Sequence, residues 1–331
     1  VFNLSYADDN FLYALTNPGA MPCDEEFFNL TNGKYGLDAK YLLCNGPFHV
    51  SKWTEKTSVK LAKNNEYNGE SSVSPSSVTF YINNDDSEVA DKMNSVTYDV
   101  AFLSSSQFSS IENKKDLNSV AVQNVTYSFI FNQNDNNYRN KNMRLAFCRS
   151  CDTSSLFDSQ SDISKADGIV PPSCKIGGED YRNGNAAELL SYDETLAKKN
   201  FNDALLELGS SWVETTILCT EQYESFVKQM VQKLQKTLGV KFVSTVKVVS
   251  ESDLEAAVND GNYSVAFYPF KAKSSFAGEI IEGFDQNNIF GYESDVLSQK
   301  IRNIKNNSGS LEGERSAAAD EVVGYGAAAR I

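Results

Sequence analysis

The amino-acid sequence predicts a mixed α/β protein with two lobes. The chain has 331 residues, which exceeds the size at which one hydrophobic core usually stops growing. Helical and strand patterns intermingle along its whole length, without a repeat of fixed period. A strand–helix–strand–helix–strand succession runs from residue 213 to residue 269 and favours a partly parallel sheet covered by helices.

The first 150 residues predict short helices and three consecutive strands. An apolar stretch at 8–16 reads as a helix that ends at Asn17-Pro18-Gly19, and CDEEFFNLT at 23–31 reads as a second short helix. The turn Asn45-Gly46-Pro47 begins three strands, because β-branched and aromatic residues alternate with polar ones after it. Further predicted elements are a helix at 88–95, strands at 98–103 (YDVAFL), 119–123 (SVAVQ) and 126–132 (TYSFIFN), and a helix that begins at MRLAFC.

The second half predicts longer helices that end at glycines. Residues 191–209 form an amphipathic pattern closed by Gly209, and residues 220–239 form the clearest helix, closed by Gly239. The predicted buried face of that helix carries Phe226, Met230, Leu234 and Leu238.

Composition and charge exclude several functions. The chain is 41% hydrophobic and 22% charged, with mean hydropathy −0.39, as expected of a globular protein with real cores. A net charge of −14 repels phosphate backbones and anionic lipid, so no nucleic-acid partner is expected. No apolar run approaches a membrane span and no leader is present, so any membrane attachment would come through an anchor or domain outside this chain. The start without Met favours a piece of a longer protein.

Metal and cofactor sites are not expected. Cys148 and Cys151 have CxxC spacing, but there is no second such pair and His49 is the single histidine, so a structural zinc site lacks ligands. The FCRSC segment follows a helical run, which favours buried or disulfide-forming cysteines over a redox motif. Cys23 and Cys44 are the preferred candidates for a mutual disulfide.

An enzyme is the main alternative from another class. Asp24, Glu25 and Glu26 could suggest a pair of catalytic carboxylates. Adjacent acids at the start of a predicted helix are better explained by favourable interaction with the helix dipole, and the chain lacks the histidines of a catalytic triad. We therefore do not expect an enzyme.

Five segments, in order over residues 35–270, resemble the bacterial extracellular solute-binding proteins of family 5, whose members bind oligopeptides, dipeptides or nickel for ABC importers. The matching segments are NGPFHVSKW with VKLAKNNEY, VTFYI with YDVAFL, TYSFIFNQNDNNYRNKNMRLAF, ETLAKKNFNDALLELG, and TILCTEQYESFVKQMVQKLQKTLGVKF.

The resemblance implies a type II periplasmic-binding-protein-like fold, present in part and lacking the amino-terminal portion of lobe I. Residues 1–131 would be the later part of lobe I, 132–305 lobe III, and 306–331 a poorly matched return toward lobe I. The implied partners are a peptide or other small solute, captured between two lobes, and an ABC permease. A monomer is expected, outside the cell and anchored to its surface or periplasmic. An extracellular interaction or sensor domain that does not bind peptide is the alternative.

The resemblance also implies binding residues. The family's ligand-facing aromatic falls on Phe270, and the aspartate that pairs with a peptide α-amino group falls on Lys273. A lysine facing an ammonium would be unfavourable, so Lys271 or Lys273 would instead meet an anionic group, unless both lysines are solvated.

Other candidate ligand contacts remain open between binding and structural roles. Tyr268 and Phe270 could contact ligand or belong to the core, and a serine run at 104–106 could donate hydrogen bonds or form a polar loop. Tyr127, Phe129 and Phe131 should share one face of their strand. The candidate ligand-binding residues are Tyr268, Phe270, Lys271, Lys273, Phe129, Asn132, Ser104 and Ser105.

Overall fold

The chain forms two compact units in a computed structural model. The smaller unit comprises Asn10–Asn118, and the larger unit comprises Val1–Asp9 with Ser119–Ile331. The assignment of residues 1–131 and 132–305 to particular lobes of the family stays a prediction. The structure describes residues 2–4, 11–70, 72–82, 86–112, 114–153, 156–157, 163–166, 168–176, 179–181, 190–272, 277–285, 287–306 and 328–329.

The smaller unit contains the three predicted consecutive strands, which pair in chain order as an antiparallel sheet. The Asn64 side chain donates to the carbonyl of Gly46 at 2.9 Å and so ties the end of the second strand to the turn before the first. The strands are β1 (Phe48–Thr54), β2 (Ser58–Lys63) and β3 (Ser77–Tyr81).

The helices of the smaller unit are short. The Asp24 carboxylate accepts a hydrogen bond from the Phe27 backbone N–H at 2.7 Å and caps the second helix, whose first turn holds Glu25 and Glu26. The predicted role of these acids at a helix start is therefore confirmed. The helices are α1 (Phe11–Ala14), α2 (Glu25–Leu30), α3 (Asp86–Asn94) and α4 (Ser105–Ser109).

Two predicted strands are wrong. Residues 98–103 and 119–123 are extended or irregular and pair with no strand among the described residues. Three of their apolar side chains, Val100, Phe102 and Val120, are more than four-fifths exposed. An alternating pattern becomes a strand only where a neighbouring strand accepts and donates its backbone hydrogen bonds, and the described residues supply none here.

The larger unit is organised by a five-stranded mixed sheet in the order β10-β4-β9-β7-β8. The seventh strand pairs in parallel with both the eighth and the ninth, whereas the fourth runs antiparallel to the ninth. The partly parallel sheet is therefore confirmed. Its strands are β4 (Val125–Phe131), β7 (Val213–Thr220), β8 (Phe242–Val249), β9 (Val265–Lys271) and β10 (Ala328–Ala329), and a separate pair is formed by β5 (Lys175–Ile176) and β6 (Glu179–Asp180).

Helices connect and cover this sheet. The two longest end at Gly209 and Gly239, as predicted, and both glycines have positive φ. None of the helices in the described part combines the length and the apolarity that crossing a membrane requires. The helices are α5 (Asn136–Arg139), α6 (Lys141–Arg149), α7 (Glu194–Leu208), α8 (Glu224–Leu238), α9 (Glu251–Asn259), α10 (Gly278–Glu282) and α11 (Asp295–Asn306).

Two cores lie on opposite faces of the sheet, because successive strand residues point to opposite sides. Phe129 and Phe131 of β4 pack into the first core with residues of α6, α7 and α8, and Tyr127 packs at its edge. The predicted common face of these three residues is confirmed. Ile130, between them, packs into the second core with residues of α9, α10 and α11. The predicted buried residues of α8, namely Phe226, Met230, Leu234 and Leu238, all lie in the first core.

Cysteines of the CxxC segment lie against the first core. Burial raises the pKa of the Cys148 and Cys151 thiols to about 12, and the Cys151 Sγ lies 3.4 Å from the Met230 Sδ. These thiols therefore lack the depressed pKa of a redox-active cysteine. All six cysteines are free in this structure, and the pairing of Cys23 with Cys44 stays a prediction.

A buried hydrogen bond joins α5 to β7 and provides a test of the packing. The fully buried Tyr138 hydroxyl lies 2.9 Å from the Thr215 Oγ1. Tyr138→Phe and Thr215→Val should each lower the free energy of unfolding by about 1–2 kcal/mol, because each leaves a buried partner unsatisfied. The double variant should lose clearly less than the sum of the two, measured by urea denaturation. Thr216→Val, at the exposed neighbouring position, is the matched control; strictly additive losses would contradict the bond.

Thiol reactivity tests the burial of the CxxC segment. With a pKa of about 12, only about one thiol in ten thousand is ionised at pH 8. Under reducing conditions iodoacetamide should therefore modify the exposed Cys23 in the folded protein and reach Cys148 and Cys151 only after unfolding, as read by peptide mass mapping. A guanidinium-unfolded sample, in which all six cysteines react, is the control. Equal rates for Cys23 and Cys148 in the folded protein would contradict the placement.

Candidate functional site

A pocket of about 350 Å³ opens in the larger unit at one end of its sheet. Its lining includes Thr220 and Lys271, the last residues of β7 and β9, and Glu251, which follows the end of β8. Tyr127 also lines the pocket. It lies near the amino end of β4, which is antiparallel to β9 and therefore begins at the same end of the sheet. Ligands of α/β sheets usually bind beyond the carboxyl ends of the parallel strands, because the loops there diverge and leave a crevice.

Aromatic rings form the wall of the pocket. Phe284 and Phe290 stack with ring centroids 4.5 Å apart, and Phe270 stacks on Phe284 at 5.6 Å. Tyr268 meets Phe290 edge-on at 6.2 Å, and part of its ring remains accessible. These four residues line the pocket, so a ligand entering it would meet a preformed apolar surface that also carries the Tyr268 hydroxyl.

One asparagine holds the loop that carries part of this wall. The Asn288 side-chain amide donates to the carbonyls of Asp285 at 3.0 Å and Phe284 at 3.3 Å. Its side-chain oxygen accepts from the backbone N–H groups of Phe290 at 3.1 Å and Tyr292 at 3.2 Å. Phe284 and Phe290 therefore have fixed positions, because a single side chain ties the backbone on both sides of them.

Charged groups line the same pocket. Glu251 and Glu255 lie one turn apart on α9, Glu279 lies on α10, and Lys271 ends β9. The Lys271 Nζ lies 3.8 Å from the Glu251 Oε2, and both side chains are more than half exposed. Such a pair contributes little to stability, but it places an acid beside the lysine.

The tyrosines at the pocket have raised pKa values. Burial is the largest cause for Tyr127, and the bond to Tyr223 and the nearby Glu251 charge add to it. Burial also raises the pKa of Tyr268, with a further contribution from the Glu255 charge. The Tyr268 hydroxyl can donate a hydrogen bond to a ligand, whereas the hydrogen bond to Tyr223 that raises the pKa of Tyr127 already occupies the single Tyr127 proton.

Three of the predicted ligand-binding residues meet at this pocket. Tyr268, Phe270 and Lys271 all line it, on consecutive or alternate positions of β9. Lys273 lies outside the described residues. Whether these side chains touch a ligand stays a prediction, but the structure brings them together around an open space.

Two other predicted residues lie away from it. Phe129 is buried in the first core between Phe147 and Phe267, at ring distances of 5.3 and 5.2 Å. Asn132 lies at the opposite end of β4 from the pocket, where its amide donates to the carbonyls of Gly261 and Tyr263 at 2.8 Å each. Both side chains make contacts within the fold, and a contact of either one with a ligand stays a prediction.

The serine candidates belong to the smaller unit. Ser104 caps α4: its hydroxyl accepts from the Gln107 N–H at 3.2 Å, and its own N–H donates to the Gln107 side chain at 2.7 Å. These two reciprocal hydrogen bonds form a capping box, so Ser104 has a structural role at the start of α4. The side chain of Ser105 lies outside the described residues. In the described part of the chain, no group of three or more histidine, cysteine, aspartate or glutamate residues could hold a metal ion.

Sequence reasoning missed the carboxylates of the pocket. Glu251 and Glu255 fall within the strand–helix succession predicted at 213–269 and are not among the candidate residues, although their helix directly follows a strand parallel to β7. Charged residues in the first turns of a helix that follows a parallel strand lie near the carboxyl end of that strand, where ligands of α/β sheets bind. The position of these glutamates directly after a strand could therefore have identified them from the sequence.

Comparisons with known proteins agree with this architecture. The dipeptide-binding protein DppE of Bacillus subtilis (strain 168) is 22% identical over 236 residues, which cover 70% of this chain and 43% of that protein. The chain thus spans less than half the length of this relative.

Solved structures show the same fold. The substrate-binding domain of an oligopeptide ABC transporter from Bacillus anthracis str. Ames matches with a TM-score of 0.70 and 19% identity, covering 96% of this chain and 64% of that one. The periplasmic binding protein DppA of Helicobacter pylori, in complex with the peptide STSA, matches with a TM-score of 0.70 and 18% identity, covering 99% and 66%. These likenesses show a mixed α/β fold of the type II periplasmic-binding-protein kind.

The family follows from the sequence itself. The sequence model described as Bacterial extracellular solute-binding proteins, family 5 Middle matches residues 1–290, most of the 331. The chain therefore belongs to the family 5 bacterial extracellular solute-binding proteins.

Proposed function

We propose that this chain is part of the extracellular substrate-binding component of an ABC importer and captures a peptide or similar small solute. The observation that carries the proposal is the pocket at the carboxyl ends of β7, β8 and β9, with its aromatic wall and its charged rim. The relatives support the ligand class, since their names describe dipeptide-binding and peptide-bound proteins.

Binding in this pocket requires no bond making. An apolar ligand side chain buried against Phe270 and Phe290 would gain about 1.5–3 kcal/mol from its removal from water. The hydroxyl of Tyr268 supplies a donor that can orient a polar ligand group, because a phenol is protonated at physiological pH. Selective capture then comes from shape and from a few polar contacts.

The further parts of the proposal concern partners and location. An ABC permease is the proposed membrane partner, and the protein acts outside the cell as a monomer, either anchored to the surface or periplasmic. The family's extracellular character supports this location. Capture between two lobes remains part of the proposal. Genes for a permease and an ATPase beside the coding gene would support the importer role.

Thermal shift provides the direct test of ligand capture. A peptide mixture added to the purified protein should raise its melting temperature, because a ligand that binds the folded state stabilises it by mass action. A matched mixture of free amino acids is the control. A melting temperature that does not move with any peptide concentration would contradict peptide capture.

Tyr268 should carry part of the affinity. Tyr268→Ala removes the accessible ring of the aromatic wall and its hydroxyl, so the dissociation constant for a captured peptide should rise at least about tenfold in calorimetric titration. Tyr192→Ala, at an exposed tyrosine that does not line the pocket, should leave it unchanged. Circular dichroism of both variants checks the fold. If both variants bind the peptide with the same affinity, the assignment of this pocket as the binding site is wrong.

A further inference from the structure

Part of the pocket wall lies on one loop, which follows α10. Gly283, Phe284, Ile289 and Phe290 belong to this loop, and all four line the pocket. The rings of Phe284 and Phe290 stack although the two residues lie at opposite ends of the loop. A loop has no ladder of backbone hydrogen bonds to hold its shape, so this part of the wall depends on other groups that fix the loop.

Asn288 supplies the hydrogen bonds that fix it. Besides its bonds to the carbonyls of Phe284 and Asp285 and to the N–H groups of Phe290 and Tyr292, its amide donates to the Tyr292 carbonyl. One side chain thus engages backbone groups on both sides of itself. Without it these groups would need water as their partner, so the segment that carries both phenylalanines would loosen.

Asn288 acts on the wall without belonging to it. Its side chain is half-buried, bonds to the loop backbone and does not line the pocket. Each end of the loop also has a tie of its own. The Phe284 N–H donates to the Ile281 carbonyl at 3.0 Å. The Gln133 N–H donates to the Phe290 carbonyl at 3.2 Å. Asn288 joins these two ends, so its effect on a ligand would pass through the position of the loop.

We propose that Asn288 is a positioning residue for ligand capture, which keeps the aromatic wall assembled in the empty protein. The proposal rests on capture in this pocket and concerns what sets its affinity. Without the bonds of Asn288 a ligand would have to order the loop as it binds, and that ordering would lower the affinity. Because the contacts in the complex would be the same, the loss would appear mainly as a less favourable entropy of binding.

Calorimetric titration of an apolar tripeptide tests the proposal. The tripeptide alanyl-phenylalanyl-alanine is the probe, because its central ring suits an aromatic wall. Asn288→Ala should raise its dissociation constant about tenfold. Asn142→Ala is the matched control, since it also removes a hydrogen-bonded amide of the larger unit but lies on α6 outside the pocket. It should leave the dissociation constant unchanged, even where both variants have a lowered melting temperature.

Asn288→Asp provides a second, milder variant. Its carboxylate has the shape of the amide and can still accept from the Phe290 and Tyr292 N–H groups, but it cannot donate to the surrounding carbonyls. The dissociation constant should therefore rise in this variant as well. It carries the test by itself if Asn288→Ala does not fold.

Hydrogen–deuterium exchange of the loop gives a readout that a purely structural role would not move. In the empty Asn288→Ala variant the amides of residues 287–292 should exchange faster than in the unaltered protein, because two of their acceptor bonds are gone. Saturating tripeptide should restore most of the protection, so the protection gained on binding should be larger in the variant. A loop that stays equally open with and without the tripeptide would overturn the positioning role.

The outcomes separate this proposal from the function on which it rests. An unchanged dissociation constant in the Asn288 variants, or an equal loss in Asn142→Ala, would overturn the positioning role and leave capture standing. A tripeptide that fails to bind, while the peptide mixture still raises the melting temperature, would overturn the aromatic wall as the contact surface and the positioning role with it. No response to the tripeptide or to the mixture would overturn capture itself.

Discussion

The burial of β4 and β9, at the middle of the five-stranded sheet, between two cores is the constraint on which the larger unit depends. Phe129 and Phe131 point into one core and Ile130 points into the other, so β4 is closed to a ligand on both faces at residues 129–131, and only Tyr127 near its amino end lines the pocket. The parallel pairing of β7 with β8 and β9 then places the carboxyl ends of these three strands at the same end of the sheet. Ligands of α/β sheets usually bind beyond the carboxyl ends of the parallel strands, and the pocket lies at that end of this sheet.

The chemistry at that edge follows from how each strand ends. Tyr268 and Phe270 belong to the face of β9 that enters the second core, and at the end of the strand that core opens into the pocket. The aromatic wall is therefore an extension of the core, held in place by Asn288 and its bonds to the surrounding backbone. The carboxylates of Glu251 and Glu255 lie on α9, which begins directly after β8, and they add negative charge to a largely apolar pocket.

Local patterns in the sequence predicted most elements because those patterns have local causes. Gly209 and Gly239 end helices since they adopt positive φ, and Asp24 begins one since its carboxylate caps free N–H groups. Residues 98–103 alternate like a strand but remain unpaired among the described residues, because pairing depends on a partner far away in sequence. Sequence alone also could not distinguish Phe129 from Phe270, two aromatic strand residues of which one lies in a closed core and the other lines a pocket.

The most direct measurement of the central claim is hydrogen–deuterium exchange of the purified protein with and without a saturating peptide. The account predicts slower exchange of backbone amides at the pocket edge, in the segments around Thr220, Glu251, Lys271 and Phe290, with little change at the opposite edge around Asn132. Protection at the opposite edge with no change around Lys271 and Phe290 would contradict the assignment of this pocket as the binding site.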